Sequence, residues 1–577
     1  MKIKMTKLSL FLAALLVLSC KTTTPFMPKA QNVAQLAVSR IEKMPRNPQP
    51  WRWKDWHQTA QDFDRIAFNY QEKGDFFPII WEDNAKRNGF EQSTFGLYTA
   101  LGDVREGPGV NNGENHEALG AFGALIGASL VGIDKSNQHG RNYATMMRNY
   151  INRENGWNIV MNFTNKGAHI GGGYGNDWWY DVLNNVLYFA LADQYPNQKG
   201  QDELLRGIAD QFLRSDAVLG NSYSYSFFDF KNMKAEKNHI PAQEDVAAGY
   251  AFILYAAWVK FGDAKYLKAA QNALTVLESQ RENRSYEILM SFGPYMAARM
   301  NAETGSRYDV QKMMNWTFDG DAVGREGWGV IVGNWGGYDV SGMMGSTVHN
   351  GGYGFLMNTF QLAWTMPPTV RYDQRYARAV GRWALNAANT ARFFYPSEMP
   401  DSLQALPQRK ALTKGVIAYE GLIKESIYEQ FKGITPFAQG DGPLWAKGMP
   451  QETQFSVYGS AYVGFFGGVL RPTNVDQILQ VNCTATDFFK KGKAWPTYLY
   501  YNPHTRAHQV ELSLGDSATD VYDAASRQLL LRGAKGKVSF EIGADAARLL
   551  VLVPAGSRWK AENGRLIAGG RVVDYRY

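Results

Sequence analysis

The feature that most limits what this chain can fold into is a recurrence. Apolar segments rich in small residues start near 115, 177, 244, 286, 349 and 415: NHEALGAFGALIGASLVGI, DWWYDVLNNVLYFALADQY, EDVAAGYAFILYAAWVKF, SYEILMSFGPYMAARMNAE, GFLMNTFQLAWTM and GVIAYEGLIKESIYEQF. Amphipathic partners follow most of them, among them HGRNYATMMRNYINRE, GQDELLRGIADQFLRSD and DAKYLKAAQNALTVLESQREN. A helix that is apolar all round must be buried, whereas an amphipathic one keeps a wet face. Alternating the two at a period of about sixty residues predicts an inner ring of helices inside an outer one. The expected fold is mostly α, an (α/α)6 or (α/α)7 toroid spanning 31–474. Two further helices are expected near its start, in NVAQLAVSRIEKM and HQTAQDFDRIAFNYQ.

From about 475 the texture changes to short strand-like runs bounded by Gly, Asn, Pro and Asp, such as TYLYYNP, AHQVELSL, KVSFEI and ARLLVLVPAG. They predict a C-terminal β-sandwich domain over 475–577. A chain of 577 residues is long enough for two such domains.

The stretch from Trp316 to Phe360 breaks the helical pattern, opening WTFDGDAVGREGWGVIVGNWGGYDVSGMMGSTVHNGGYGF. Its glycine load is wrong for a helix, at about 1 kcal/mol per residue relative to alanine. Glycine lets backbone approach a ligand, and flat rings beside carboxylates and amides suit the face and rim of a sugar. The stretch therefore predicts a carbohydrate-binding surface, with packing of its own rings as the alternative. Sixteen Trp and 31 Tyr in the whole chain agree with either.

The N-terminus has a positive Lys2, Lys4 and Lys7 region, the short apolar run LSLFLAALLVLS, and Cys20. This is a secretory signal, too short to span a membrane. LVLSC resembles the bacterial lipobox, which implies a signal over 1–19, cleavage before Cys20, lipidation of its thiol, and a tether over 20–30. No acidic residue follows the cysteine directly, so a membrane anchor facing the periplasm is expected rather than display on the cell surface. Removal of the three lysines takes the formal charge from +7 to +4, and no Lys/Arg run is present, so no nucleic-acid partner is expected. The only other cysteine, Cys483, reads as a buried thiol.

Chemistry is expected where the apolar helices begin. The first approach carries Asn115, His116 and Glu117; the second His169, Tyr174, Asp177, Trp178, Trp179 and Tyr180; the third His239, Gln243, Glu244 and Asp245. The glycine-rich stretch adds Asp321, Arg325, Glu326, Trp328, Trp335, Tyr338, Asp339, His349 and Tyr353. Asn115, Asp177 and Gln243 are also well placed as helix N-caps. Capping does not explain why rings and carboxylates recur together, and Trp178–Trp179 beside Asp177 and Trp328 beside Glu326 read as sugar platforms next to acids.

A helical toroid followed by a β domain resembles the architecture shared by many glycoside hydrolases and polysaccharide lyases. Among families, the chain resembles glycoside hydrolase family 154 and its glucuronidase-like relatives of gut Bacteroidota. The resemblance implies an oligo- or polysaccharide substrate, and calls for no cofactor, metal or protein partner. Hydrolysis needs one protonated and one ionised carboxyl group. Asp177 and Glu244 are the first candidates, with Glu326 and Asp321 next. Asn115, His116, Trp178, Trp179, Tyr180, Arg325, Trp328, Trp335, Tyr338, Asp339, His349 and Tyr353 are expected to bind the sugar, Arg325 and His349 suiting a uronate carboxylate or ring hydroxyls. Two alternatives stay open. A lyase would use a Tyr or His base, from His116, Tyr180, His349 or Tyr353, and NNGENHE resembles the Asn-His approach of some toroid lyases. A glycan-binding lipoprotein would need the rings but not the acids.

Overall fold

The structure, a computed structural model, describes residues 28–101, 117–164, 177–426, 428–440, 455–490 and 492–577. The signal sequence, Cys20 and most of the tether lie outside the described residues, as do Asn115, His116, His169 and Tyr174.

Eleven helices matter for the site: α1 (Trp56–Ala67), α2 (Ala118–Leu130), α3 (Trp178–Gln194), α4 (Gln201–Leu219), α5 (Val246–Phe261), α6 (Ala264–Ser279), α7 (Phe292–Thr304), α8 (Val310–Phe318), α9 (Leu356–Tyr372), α10 (Ala377–Thr390) and α11 (Val463–Val469). Six of them, α2, α3, α5, α7, α9 and α11, are buried along nearly their whole length. They pack in a closed order, each on the next and α11 back on α2. The α2–α11 crossing is close enough that a Cβ on Gly464 would fall 2.2 Å from the Gly127 Cα. Helices α1, α4, α6, α8 and α10 pack outside this ring.

Capping differs between the layers. Outer helices α1, α6 and α8 are capped by Asp55, Asp263 and Asp309, whose side chains accept backbone N–H bonds from the first turn. None of the six inner helices takes a side-chain cap from its own N-cap residue. Their N-terminal ends meet at one mouth, where donors and positive dipole ends gather.

The glycine-rich stretch is a sheet. Strands β1 (Trp328–Val330), β2 (Met344–Ser346) and β3 (Tyr353–Phe355) continue into β4 (Gly421–Ile423) and β5 (Phe437–Gln439), forming an antiparallel meander in the order β5-β4-β3-β2-β1. Gly345 lies opposite Gly329 on one side and Gly354 on the other. A Cβ there would sit 1.9 Å from the Tyr353 carbonyl oxygen, so only glycine permits this pairing.

Three expected helices are otherwise. The segment 415–431 holds β4 and a further short strand, Ala418–Tyr419, instead of an inner helix; the sixth inner helix is α11. Within 32–44 only Ser39–Glu42 is helical, because the preceding backbone bonds to distant chain: Val33 N–H to the Ala525 carbonyl at 2.8 Å and Leu36 N–H to that of Arg375 at 2.8 Å. Within 139–154 the helix shrinks to Tyr143–Met146 and one 3-10 turn.

At the C-terminal end, β6 (Leu470–Pro472), β7 (Leu479–Asn482), β8 (Thr497–Asn502), β10 (Thr519–Asp523), β11 (Gln528–Ala534) and β13 (Ala546–Pro554) form an antiparallel sheet in the order β6-β7-β8-β13-β10-β11. The ribbon of β9 (His508–Ser513) and β12 (Lys537–Ile542) shares a small separate core with this sheet: Tyr500, Val521 and Leu550 meet Val510, Leu512, Phe540 and Ile542. On its other side the sheet packs against α10, and Gly381 lies so close that a Cβ would fall 2.5 Å from that of Tyr501.

Between β7 and β8 the chain crosses the C-terminal ends of the inner helices. Asp487, fully buried, accepts from Tyr295 (2.8 Å), Tyr372 (3.0 Å) and Arg371 (2.7 Å). The buried Arg299 guanidinium donates to the carbonyls of Phe488 (2.7 Å) and Phe489. The Phe488 ring meets Trp364 edge-on and that of Phe489 packs on Phe189.

Candidate active site

The mouth is built from the segments that lead into all six inner helices. They bring Glu117 (into α2), Asp177 and Tyr180 (α3), Gln243, Glu244 and Asp245 (α5), Tyr286 and Glu287 (α7), Tyr353 and Asn358 (α9) and Tyr458 (α11). Arg325 comes from the turn before β1 and Glu420 from the turn before β4.

Asp177 occupies the N-cap position of α3, yet its side chain caps nothing. Gln243 does this instead, its Oε1 accepting from Trp179 N–H at 2.8 Å. Asp177 is thereby released to the mouth. Its Oδ2 accepts the Tyr286 hydroxyl at 3.0 Å, and Oδ1 is buried without a hydrogen-bond partner among the described residues. Burial pushes the carboxyl up to about 6, against the Tyr286 hydrogen bond, the Arg325 guanidinium, the nearby His239 and the Trp179 hydrogen bond, which pull it down. Glu244, 4% exposed on the adjacent segment, likewise has a buried Oε2 without a partner among the described residues. A buried acceptor left unsatisfied costs about 1–3 kcal/mol, and such groups concentrate where a water or ligand completes the shell. Next to Glu244, burial raises the Asp245 carboxyl to about 7, although its Oδ2 accepts Tyr286 N–H at 2.9 Å.

A second group surrounds Arg325. Its guanidinium pairs with Glu287, which also accepts from Asn358 Nδ2 at 2.9 Å, and lies 4.1 Å from the Trp328 ring centre. Tyr180 sits between the two groups. Burial, then the neighbouring Glu117, Asp177 and Glu420 carboxylates, push its hydroxyl well above the ordinary tyrosine range. Tyr458, which donates to Glu420, is raised for the same two reasons. These tyrosines stay protonated and act as donors. Beside Arg325 opens a cavity of about 380 Å³, lined also by Glu326, Trp328, Ser346, Val348, His349 and Tyr353, within the size range of small-molecule sites.

The structure thus brings Asp177, Glu244 and Tyr180 to the mouth and gathers Arg325, Glu326, Trp328, His349 and Tyr353 around the cavity. Other expected residues are packing groups. Trp178 is 0% exposed and stacked on Tyr223 (6.0 Å between centres, 10°), so its ring offers no face to a sugar. Trp179 is buried with its ring 3.9 Å from that of Tyr180, and the Trp328 face is taken by Arg325. Trp335 is buried against Gly352, where a Cβ would meet its ring at 2.4 Å. Tyr338 packs edge-on against Phe393, and Asp339 accepts from Ser341 N–H at 3.0 Å. Asp321 is exposed and ties its turn to Asn283 Nδ2 at 2.7 Å, which makes it an anchor of the loop rather than a member of either group.

Sequence reasoning passed over Tyr286, Glu287, Asn358, Glu420 and Tyr458. Glu287 obeys the same rule that picked Asp177 and Glu244, an acid at the start of an apolar helix. Glu420 and Tyr458 carry no such signal, since both precede elements too short to show a period.

No protein-family model matches the chain, and no curated protein sequence matches it. Among solved structures it is similar to a GH127 β-L-arabinofuranosidase from Geobacillus stearothermophilus T6, with a TM-score of 0.37 and 11% identity over 91% of this chain and 86% of that one. It is also similar to an unsaturated glucuronyl hydrolase variant from Streptococcus agalactiae, with a TM-score of 0.36 and 11% identity over 77% and 97%. An endoglucanase from Clostridium thermocellum, seen with cellotriose, gives a TM-score of 0.33 and 10% identity over 91% and 99%.

Proposed function

We propose that the chain is a glycoside hydrolase whose general acid is Asp177. The observation that carries this is the Asp177 carboxyl itself: buried at the mouth, held by one oxygen, unpartnered at the other, and raised to about 6. Such a group keeps its proton up to about pH 6, well above an ordinary aspartate, and can give it to a glycosidic oxygen. Glu244, from the next segment, is the carboxylate that activates water. Arg325 and His349, lining the adjacent cavity, suit a uronate carboxylate, so a uronic acid is the preferred sugar. The raised hydroxyls of Tyr180 and Tyr458 argue against β-elimination, which needs a tyrosine that gives up its proton readily.

The scaffold reading follows the packing. The closed order of six inner helices supports an (α/α)6 toroid over 31–474, and the sheet-and-ribbon layers after it support a β-sandwich over 475–577. Lipidation at Cys20 and attachment to a membrane facing the periplasm complete the proposal; no helix among the described residues is long and apolar enough to cross a membrane.

The test is product analysis by mass spectrometry and ultraviolet absorbance on neutral and uronate-containing oligosaccharides. Products heavier by one water with no new absorbance are expected. An unsaturated, absorbing product would make the chain a lyase, and binding without turnover would leave a glycan-binding protein.

A further inference from the structure

We propose that Tyr286 is a positioning residue that fixes which oxygen of Asp177 delivers the proton. The inference rests on the reading of Asp177 as general acid and adds how that acid is held.

The two oxygens of Asp177 have different surroundings. Oδ2 receives the Tyr286 hydroxyl at 3.0 Å; Oδ1 has no partner among the described residues. A protonated carboxyl carries one O–H. The oxygen that already accepts from Tyr286 remains the carbonyl-like acceptor, so the proton resides on Oδ1. Tyr286 cannot easily turn away, because it is 7% exposed and its own N–H is bound at 2.9 Å by Oδ2 of the fully buried Asp245. Three neighbouring helix approaches are thus tied in line: Asp245 before α5 holds Tyr286 before α7, which holds Asp177 before α3.

The chemical step balances. The proton leaves Oδ1 for the glycosidic oxygen as the bond from that oxygen to the anomeric carbon breaks, its electron pair staying with the oxygen. Water forms the new bond to carbon, and its proton passes to Glu244. Asp177 is left as an anion whose charge the Tyr286 hydroxyl stabilises at Oδ2. Other groups that bear on Asp177 are Arg325, His239 and Trp179, with Asp181 and Tyr180 on its own helix. Trp179 also hydrogen-bonds the carboxyl, and the Tyr286 bond is the stronger of the two.

The test is Tyr286→Phe in the full chain, which removes the hydroxyl and keeps the backbone bond to Asp245. Turnover of an unactivated glycoside should fall about tenfold with little change in KM, as expected for one hydrogen bond to a charged group. The alkaline limb of kcat/KM should move up by about one pH unit, because a bond that favours the anion is gone. An aryl glycoside with a good leaving group should be spared. Fluorotyrosine at 286, a stronger donor of nearly the same shape, should move the limb down, and covers the case in which Tyr286→Phe does not fold. Limbs that stay in place in both proteins overturn the inference. Asp177→Asn separates this from the parent reading: it should lose the unactivated substrate and keep the activated one. Equal loss of both would overturn the role of Asp177 itself.

Discussion

A residue kept protonated by burial is a liability to the fold whenever it ionises, so Asp177→Asn should raise stability while it removes turnover of an unactivated glycoside. The carboxyl stands at about 6 in the folded chain against an ordinary 3.8, a shift of roughly two units. At 1.36 kcal/mol per unit the folded state loses about 3 kcal/mol when the group ionises. Its folded-state value is raised, so the favourable contribution is complete below 3.8 and is lost as pH rises through about 6. Asparagine has the same shape and no charge to bury, and it breaks no cap because Asp177 makes none. The variant should therefore exceed the parent by about 3 kcal/mol at pH 8 and by only about 1 kcal/mol at pH 4.5. With an unfolding entropy of about 2 cal/mol/K per residue, a chain of this length gains about 2–3 °C in Tm at pH 8. Thermal unfolding of both proteins across that range measures it. A Tm difference that does not change with pH, or a variant less stable at pH 8, would refute the reasoning.

Four further outcomes are expected. Asp487→Ala should leave Arg371 buried without its carboxylate and Arg299 with Glu303 alone, and cost about 3–5 kcal/mol, read by urea unfolding. In Gly345→Ala the new Cβ collides with the Tyr353 carbonyl oxygen; stability should drop by about 1–3 kcal/mol or more, with loss of activity since Tyr353 lines the cavity. Arg325→Ala should raise KM for a uronate substrate by about 10–100-fold and for a neutral one far less, read by steady-state kinetics. Cys20→Ala should move the protein from the membrane fraction to the soluble one, read by fractionation of expressing cells.

Five of the six inner helices could be read from the sequence because each is long and apolar all round. The sixth, α11, has seven residues, three of them glycine, and no period can be seen at that length. The false helix at 415–431 has the same origin: its apolar residues are those of β4, where Gly421 sits so close to the Tyr353 ring that a Cβ would fall 2.5 Å away. Site residues were legible where an acid precedes an apolar helix, which singled out Asp177 and Glu244. Adjacency misled for Trp178. Successive helical residues turn by 100°, so Trp178 and Tyr180 point about 200° apart. Tyr180 faces the mouth carboxylates while Trp178 enters the core beside Tyr223 and Tyr250. The glycines at 329, 345 and 354 were read as room for a ligand, but they provide room for neighbouring backbone and the Met343 side chain.

The crossing of 484–490 under the helix ring has a consequence for traffic. The mouth residues sit at the N-terminal ends of the inner helices, and Asp487, Phe488 and Phe489 pack against α3, α7 and α9 through Phe189, Tyr295, Arg299 and Trp364. Among the described residues, Trp364, Phe252, Phe292 and Phe465 fill the space between, so the ring is closed on that side. On the hydrolase reading proposed above, a product leaves by the mouth through which the substrate entered.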